Sequence, residues 1–229
     1  VTKKGFTRKA FLCLLFLLNY LFIGPALAGK HGPIVANVTG EGFAISWISD
    51  MAGIGKVNIY QNKKFIGNYV DDRGTSYKSY THHVTIGRLK PLTSYSFSVM
   101  NGHVIDDNKG AYYKISTGPH LIGVDSVQPA GRIFLKDGRT IARDVLIYVT
   151  IEAEGKRSGL LSTYVDKNGY WFLEAANART NDGNGLFKTP SDKAGITIQA
   201  ISQKGNAKLQ GKLMDNKGGK NLYGPLLLK

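Results

Sequence analysis

From Gly29 onward the apolar residues recur at every second position in short segments, and Gly, Asn and Asp separate one segment from the next. Alternation sends side chains to opposite faces of an extended chain and suits half-buried strands, whereas an amphipathic helix needs apolar residues about every 3.6 positions. No stripe of the helical kind follows Gly29. The predicted fold class is therefore all-β. In Ser94-Tyr95-Ser96-Phe97-Ser98-Val99 the aromatic and branched residues take one face and the serines the other. Phe43-Ala44-Ile45-Ser46-Trp47 likewise gathers its large apolar residues on one face.

The alternating segments form two groups. Pro119, within the stretch Thr117 to Val124, ends the first, and the second begins near Arg132. This predicts two tandem domains over residues 29–119 and 120–229, each of ordinary size for a Greek-key β-sandwich. In the first, strands are expected at Ile34–Thr39, Gly42–Ser49, Lys56–Gln61, Phe65–Val70, Thr81–Leu89, Thr93–Met100 and Ala111–Thr117. In the second they are expected at Gly131–Leu135, Asp144–Ile151, Leu160–Val165, Tyr170–Leu173, Ile196–Ser202 and Ala207–Leu213. Val145, Ile147, Val149 and Ile151 share one face of their strand. Asp166-Lys167-Asn168-Gly169 reads as a tight hairpin turn in which Asn-Gly supplies the positive φ angles.

Before Gly29 the chain is different. Lys3, Lys4, Arg8 and Lys9 precede the apolar run Ala10–Ile23, Gly24 and Pro25 break a helix, and Ala26-Leu27-Ala28 has the small-x-small form that signal peptidase accepts. This order predicts a signal peptide over residues 1–28 and a mature protein that begins at Gly29 and is secreted, periplasmic or at the cell surface. Val1 in place of Met fits a bacterial alternative start codon, and equally a truncated sequence. The competing reading is an uncleaved anchor, but the 14-residue run contains Asn19 and falls short of the roughly 20 residues a spanning helix needs. The one cysteine, Cys13, lies in this run. Beyond it the chain can form neither a disulfide nor a cysteine-ligated metal site.

The chain carries 30 Lys+Arg against 16 Asp+Glu, a net charge of +14, and the first 28 residues hold four of those cations and no anion, which leaves +10. The cations are spread over both predicted domains without a run of five. A solvated basic surface, with diffuse and salt-sensitive attraction to acidic polymers, is expected. Hydrophobic residues at 42% and charged residues at 20% exclude a disordered chain and a polytopic membrane protein.

Some of these residues resemble known families. Leu89-Lys90-Pro91-Leu92-Thr93-Ser94-Tyr95-Ser96-Phe97-Ser98-Val99 resembles the E–F corner of fibronectin type III domains, and Trp47 stands where that family's second strand carries its core tryptophan. The resemblance covers residues 32–118. It implies that Pro91 stiffens the corner, Leu89 plugs the sandwich end and the Tyr95 hydroxyl bonds backbone a few residues upstream. Tyr80 to Ile86 is similar to the corresponding strand in the domain that precedes the catalytic part of purple acid phosphatases, but that enzyme's metal-binding motifs are missing downstream. Residues 128–213 resemble carboxypeptidase regulatory-like domains, which are transthyretin-like sandwiches, at Gly131, Ile133, Gly138, Ile141, Val145, Thr163, Asp166, Gly169 and Trp171. Arg143-Asp144 departs from that pattern, where the family has a small residue. The second resemblance implies display, adhesion or glycan contact and no chemistry.

A search for convergent reactive groups returns little. His82 and His83 are adjacent in a predicted strand, so they point to opposite faces and cannot easily share a metal. His82 shares parity with Val84 and Ile86 and is expected to be partly buried, while His83 faces solvent with Thr85. His31, His103 and His120 lie near ends or loops. Asp71-Asp72 and Asp106-Asp107 could hold calcium only if other oxygens converged, and Asp166–Gly169 and Asn181–Asn184 lack the spacing of a calcium loop. Nine tyrosines, among them Tyr148, Tyr164 and Tyr170, exceed what two small cores can hold, so some are expected at the surface, suited to glycan stacking or protein contact.

The reading that follows is a non-enzymatic, exported or cell-surface binding or structural module pair, with no catalytic residue, metal or cofactor. Its expected partner is a protein or an anionic polysaccharide, with no specific nucleic acid and no membrane unless the N-terminal helix is retained. The alternative is an accessory subunit of an envelope complex tethered by that helix. Trp47, Leu89, Pro91, Tyr95, Asp166, Gly169 and Trp171 are the expected structural residues.

Overall fold

The computed structural model describes residues 32–123, 127–188, 193–214 and 222–229. The predicted signal segment lies outside them. The described residues form strands and turns, with no helix.

The N-terminal half contains β1 (Ile34–Ala36), β2 (Phe43–Gln61), β3 (Lys64–Val70), β4 (Lys78–Ile86), β5 (Ser94–Asn101), β6 (Val104–Asp106) and β7 (Tyr113–Ser116). The segments Gly42–Ser49 and Lys56–Gln61, expected as two strands, are one. Strand β2 pairs with β1 and β4 along its first part and with β3 and β5 along its second, so it belongs to both ladders. The register against β4 shifts between Ile48 and Gly53. A Cβ at Gly53 would overlap the Asn101 amide, and one at Gly55 would overlap the His82 ring. Only glycine lets the strand cross there. Phe43, Ile45, Trp47, Val84 and Ile86 from one ladder meet Val57, Ile59, Tyr95, Phe97 and Val99 from the other in a single buried cluster.

At the corner before β5, Leu89 is buried and Pro91 exposed. The Tyr95 hydroxyl accepts the Lys90 backbone N–H at 2.9 Å, and Thr117 Oγ1 donates to Lys90 O at 2.6 Å. Tyr95→Phe keeps the ring and leaves the Lys90 N–H without this acceptor, so a loss of about 1 kcal/mol is expected in urea melts.

The C-terminal half contains β8 (Ala130–Phe134), β9 (Leu146–Ala153), β10 (Lys156–Arg157), β11 (Leu161–Tyr164), β12 (Tyr170–Phe172), β13 (Gly195–Ser202), β14 (Gly205–Lys212) and β15 (Tyr223–Leu227). Strands β10 and β11 flank one side of β9, and β13 and β14 follow on the other; β12, β8 and β15 form a separate three-stranded sheet. The alternation did not reveal β15, because Gly224 and Pro225 interrupt it. They fall where its parallel register with β8 is irregular, the place an edge strand tolerates them.

The turn at Asp166–Gly169 differs from a two-residue hairpin. Only Gly169 has positive φ, at 81°, and β11 pairs with β9 while β12 pairs with β8, so the turn carries the chain between sheets. Asp166 Oδ1 accepts the N–H groups of Asn168 and Tyr170, both at 2.8 Å. Trp171 is buried in the second core, its ring 6.2 Å from that of Tyr223.

Candidate functional site

The polar groups converge where the two halves meet. Strand β2 is buried on both faces from Phe43 to Trp47. Its inner face fills the first core; its outer face, with small Ala44 and Ser46, lies against the C-terminal half, where Ser46 Oγ is 2.8 Å from the Tyr148 hydroxyl. Leu146, Tyr148 and Ile201 from one half pack with Ile34 and Ile48 from the other in a third apolar cluster. Burial pushes the Tyr148 hydroxyl up to about 12, so it stays protonated at neutral pH.

Polar contacts surround that cluster. Asn37, at φ 53°, acts as a strand partner to β11. Its backbone N–H donates to Leu160 O (2.9 Å), its side-chain amide donates to Ser162 O (2.8 Å), and its Oδ1 accepts the Ser162 N–H (2.8 Å). Asn37→Ala removes two of these bonds and strains the left-handed backbone, so a loss of about 2–4 kcal/mol is expected in urea melts. Asn37→Gly relieves the strain and should lose less. Equal losses would deny the backbone contribution.

Beside it sits a buried charge network. Asp71, with no exposed side-chain surface, accepts Arg73 Nε (2.8 Å) and Nη2 (2.8 Å) and the backbone N–H groups of Arg73 and His83. Burial alone would raise its carboxyl, but the hydrogen bonds from Arg73 and the contact with His82 outweigh that and hold it well below the ordinary carboxylate range. Arg73 also donates to Thr81, lies 4.5 Å below the Tyr77 ring, and faces Tyr164 of the other half at 5.6 Å. Asp144, one of the two residues at which the chain departs from the carboxypeptidase regulatory-like pattern, reaches across. Its Oδ1 accepts Tyr77 (2.9 Å) and Ser79 (2.8 Å), with Arg73 Nη1 at 3.5 Å.

The histidines diverge across β4, as the parity reading requires, but neither has the predicted exposure. His82 is fully buried against Trp47, ring centroids 4.7 Å apart, with Asp71 Oδ2 3.5 Å from Nδ1. His83 is 3% exposed instead of facing solvent, because the C-terminal half covers this face. Its Nδ1 is 2.8 Å from Asp72 Oδ2 and its Nε2 2.9 Å from Ser162 Oγ.

Asp72, His83 and Ser162 thus have the connectivity of a serine-nucleophile triad and line a cleft of about 470 Å³. Two observations oppose that chemistry. Ser162 is 2% exposed, and its own N–H, a natural oxyanion donor, is taken by Asn37. Asp72 also accepts the N–H and hydroxyl of Thr85. The relay joins the halves.

Among the described residues no group of three or more His, Cys, Asp or Glu is placed to hold a metal. The paired aspartates are used locally: Asp106 accepts Asn108 N–H and the Tyr113 hydroxyl, and Asp107 accepts Gly110 N–H. Asp182 accepts the Thr180 hydroxyl and Asn184 N–H. Of the surface tyrosines expected, Tyr80 and Tyr170 are exposed. Arg179 is 4% exposed and donates through Nη2 to Leu121 O (2.9 Å), while its Nε and Nη1 have no hydrogen-bond partner, and burial pushes its pKa down.

Sequence reasoning missed Asn37, Arg73, Asp144 and Ser162 as a group, since their contacts join residues far apart in the chain. One signal was available. The run Val145 to Ile151 is apolar at nearly every position, the mark of a strand covered on both faces.

No protein-family profile matches the chain, and no curated protein does. Among solved structures it is similar to PhoD, at 14% identity and TM-score 0.30 over 45% of this chain and 21% of that one. It is also similar to the FN1–FN3 domains of chicken CNTN1, at 10% identity and TM-score 0.28 over 86% of this chain and 66% of that one. A third likeness is to a segment of two fibronectin type III domains from chicken tenascin, at 12% identity and TM-score 0.27 over 80% of this chain and 97% of that one. Likenesses this loose assign neither a family nor an activity, and the fold rests on strand pairing and burial.

Proposed function

We propose that the chain is a non-enzymatic binding or structural module pair, exported behind the signal segment and built of two β-sandwich domains, the first fibronectin type III-like and the second carboxypeptidase regulatory-like. One observation carries this reading: the groups that could do chemistry, Asp71, Arg73, Asp72 and His83, are closed on one another beside the junction, and Ser162 and Asp144 reach them from the other half. A junction of this kind fixes the orientation of two surfaces, which suits display and contact. A protein or an anionic polysaccharide is the partner this reading favours, since the chain is basic.

Two measurements test it. Intact mass of the native protein should correspond to a start at Gly29; a retained N-terminal helix favours the tethered envelope subunit. Ester and phosphoester hydrolysis by purified mature protein should be absent with and without added zinc, calcium or magnesium. Turnover abolished by Ser162→Ala would overturn the non-enzymatic reading.

A further inference from the structure

The outer face of the three-stranded sheet carries an aromatic strip around an arginine. Antiparallel pairing sets Tyr170 opposite Arg132 and Phe172 opposite Ala130, and Leu227 lies beside Phe134 on the parallel side. Alternation turns Trp171 and Ile133 into the core and leaves Tyr170, Phe172, Arg132 and Phe134 outside. The Arg132 guanidinium stacks on two of the rings, 4.7 Å from the Tyr170 centroid and 4.9 Å from that of Phe134. Phe172 is 68% exposed and Tyr170 41%. They stand two residues apart on the same face, beside Phe134 and the stacked Arg132, so they form a contiguous patch.

The charges around the strip have one sign at one end. Lys136 and Arg139 follow β8, and Lys167 stands in the turn before Tyr170, all exposed. The carboxylates at the Arg132 end are turned into their own loops: Asp137 accepts the N–H groups of Arg139 and Thr140, and Asp166 those of Asn168 and Tyr170, whereas Phe172 lines the cleft that also holds Glu41, Asp72 and Glu174. Glu174, at the far end, receives Gln128 and the Ala176 N–H. Arg132 donates Nε to Asn168 O at 3.3 Å and forms no ion pair with a described carboxylate.

We propose that this face binds an anionic, uronic-acid-containing polysaccharide, with sugar rings on Tyr170 and Phe172 and a carboxylate on the outer edge of the Arg132 guanidinium. The inference rests on the binding-module reading and adds a site to it. Exposed rings with a single stacked arginine suit a polymer whose charges are separated by rings, and the planar fork of arginine matches a carboxylate. A single-stranded nucleic acid has a phosphate at every residue, and its binding grooves follow the backbone with successive cations. Stacking pre-orders Arg132, which reduces what binding must immobilise.

Calorimetry of the mature protein with polygalacturonate, alginate and hyaluronan oligosaccharides tests this. At least one should bind, and its fully methyl-esterified form should bind at least about tenfold more weakly. Arg132→Gln and Phe172→Ala should each weaken binding about tenfold with melting temperature unchanged, while Lys208→Gln on β14 should change it less than about twofold. Binding to none of the three, equal binding of the ester, equal losses from Lys208→Gln and Arg132→Gln, or an oligothymidylate that binds more tightly and is lost with Phe172→Ala would each overturn the proposal. A partner co-purified from native envelopes and retained by Phe172→Ala would sink this face alone, leaving the module reading intact.

Discussion

Asp71→Asn is expected to lower the unfolding free energy by about 3–5 kcal/mol in urea melts at pH 7, the effect of breaking a buried ion pair and stranding its cation. The Arg73 guanidinium has a 6% exposed side chain and meets Asp71 through Nε and Nη2, so an asparagine oxygen leaves it buried without a full counter-charge. The neighbouring Asp144 Oδ1 stands 3.5 Å from Nη1 and already serves Tyr77 and Ser79. The acid branch of the stability curve gives a second readout. The folded carboxyl lies below the unfolded value of about 3.9, so its stabilisation is complete above that value and is lost as pH falls through the region below it. The Asn variant should therefore show a flatter decline below about pH 4. Replacing both partners, as in Asp71→Leu with Arg73→Met, should recover much of the loss, since no charge is left buried. A loss under about 1 kcal/mol for Asp71→Asn would mean that the pair is solvated.

How much of this was legible in the sequence depends on the distance over which each feature acts. Strand positions were readable because alternation is local, and residues such as Tyr95 and Phe97 carry their face in their parity. Parity also separated His82 from His83. Parity does not say what lies beyond the sheet: it turns His83 away from the first core, and the C-terminal half covers that face. Small residues at Ala44 and Ser46 hold the trace of that contact, and on the other side Leu146 and Tyr148, out of phase with Val145 and Ile147, face the N-terminal half together with Ile201. Residues 50–55 carry no clear alternation, so Gly42–Ser49 and Lys56–Gln61 stand apart in the sequence, although one long strand joins them through Gly53 and Gly55. Their function is to let the strand pass Asn101 and His82. The Arg132 face is hidden for a related reason, since Arg132 and Phe134 lie on β8 and Tyr170 and Phe172 on β12, and only the pairing of the two strands joins them.

Trp47→Ala is expected to cost about 3–5 kcal/mol, as for other large aromatic truncations in a core. The ring is buried in the first cluster and rests on His82, its directly paired neighbour on β4. His82 is held between Trp47, the strand crossing at Gly55 and the Asp71 carboxylate 3.5 Å away. A cavity on one side of that imidazole frees it to move, and Asp71 then loses a neighbour that favours its ionised form. Trp47→Ala and Asp71→Asn should consequently fail to add, with a coupling of about 0.5–3 kcal/mol in a double-mutant cycle. Trp171→Ala supplies the comparison, since Trp171 sits in the other core against Tyr223 and shares no partner with Asp71. Its loss should be similar in size and additive with Asp71→Asn within about 0.5 kcal/mol. If both tryptophan variants were additive with Asp71→Asn, His82 would be no link between the first core and the junction, and the charge network would stand on its own.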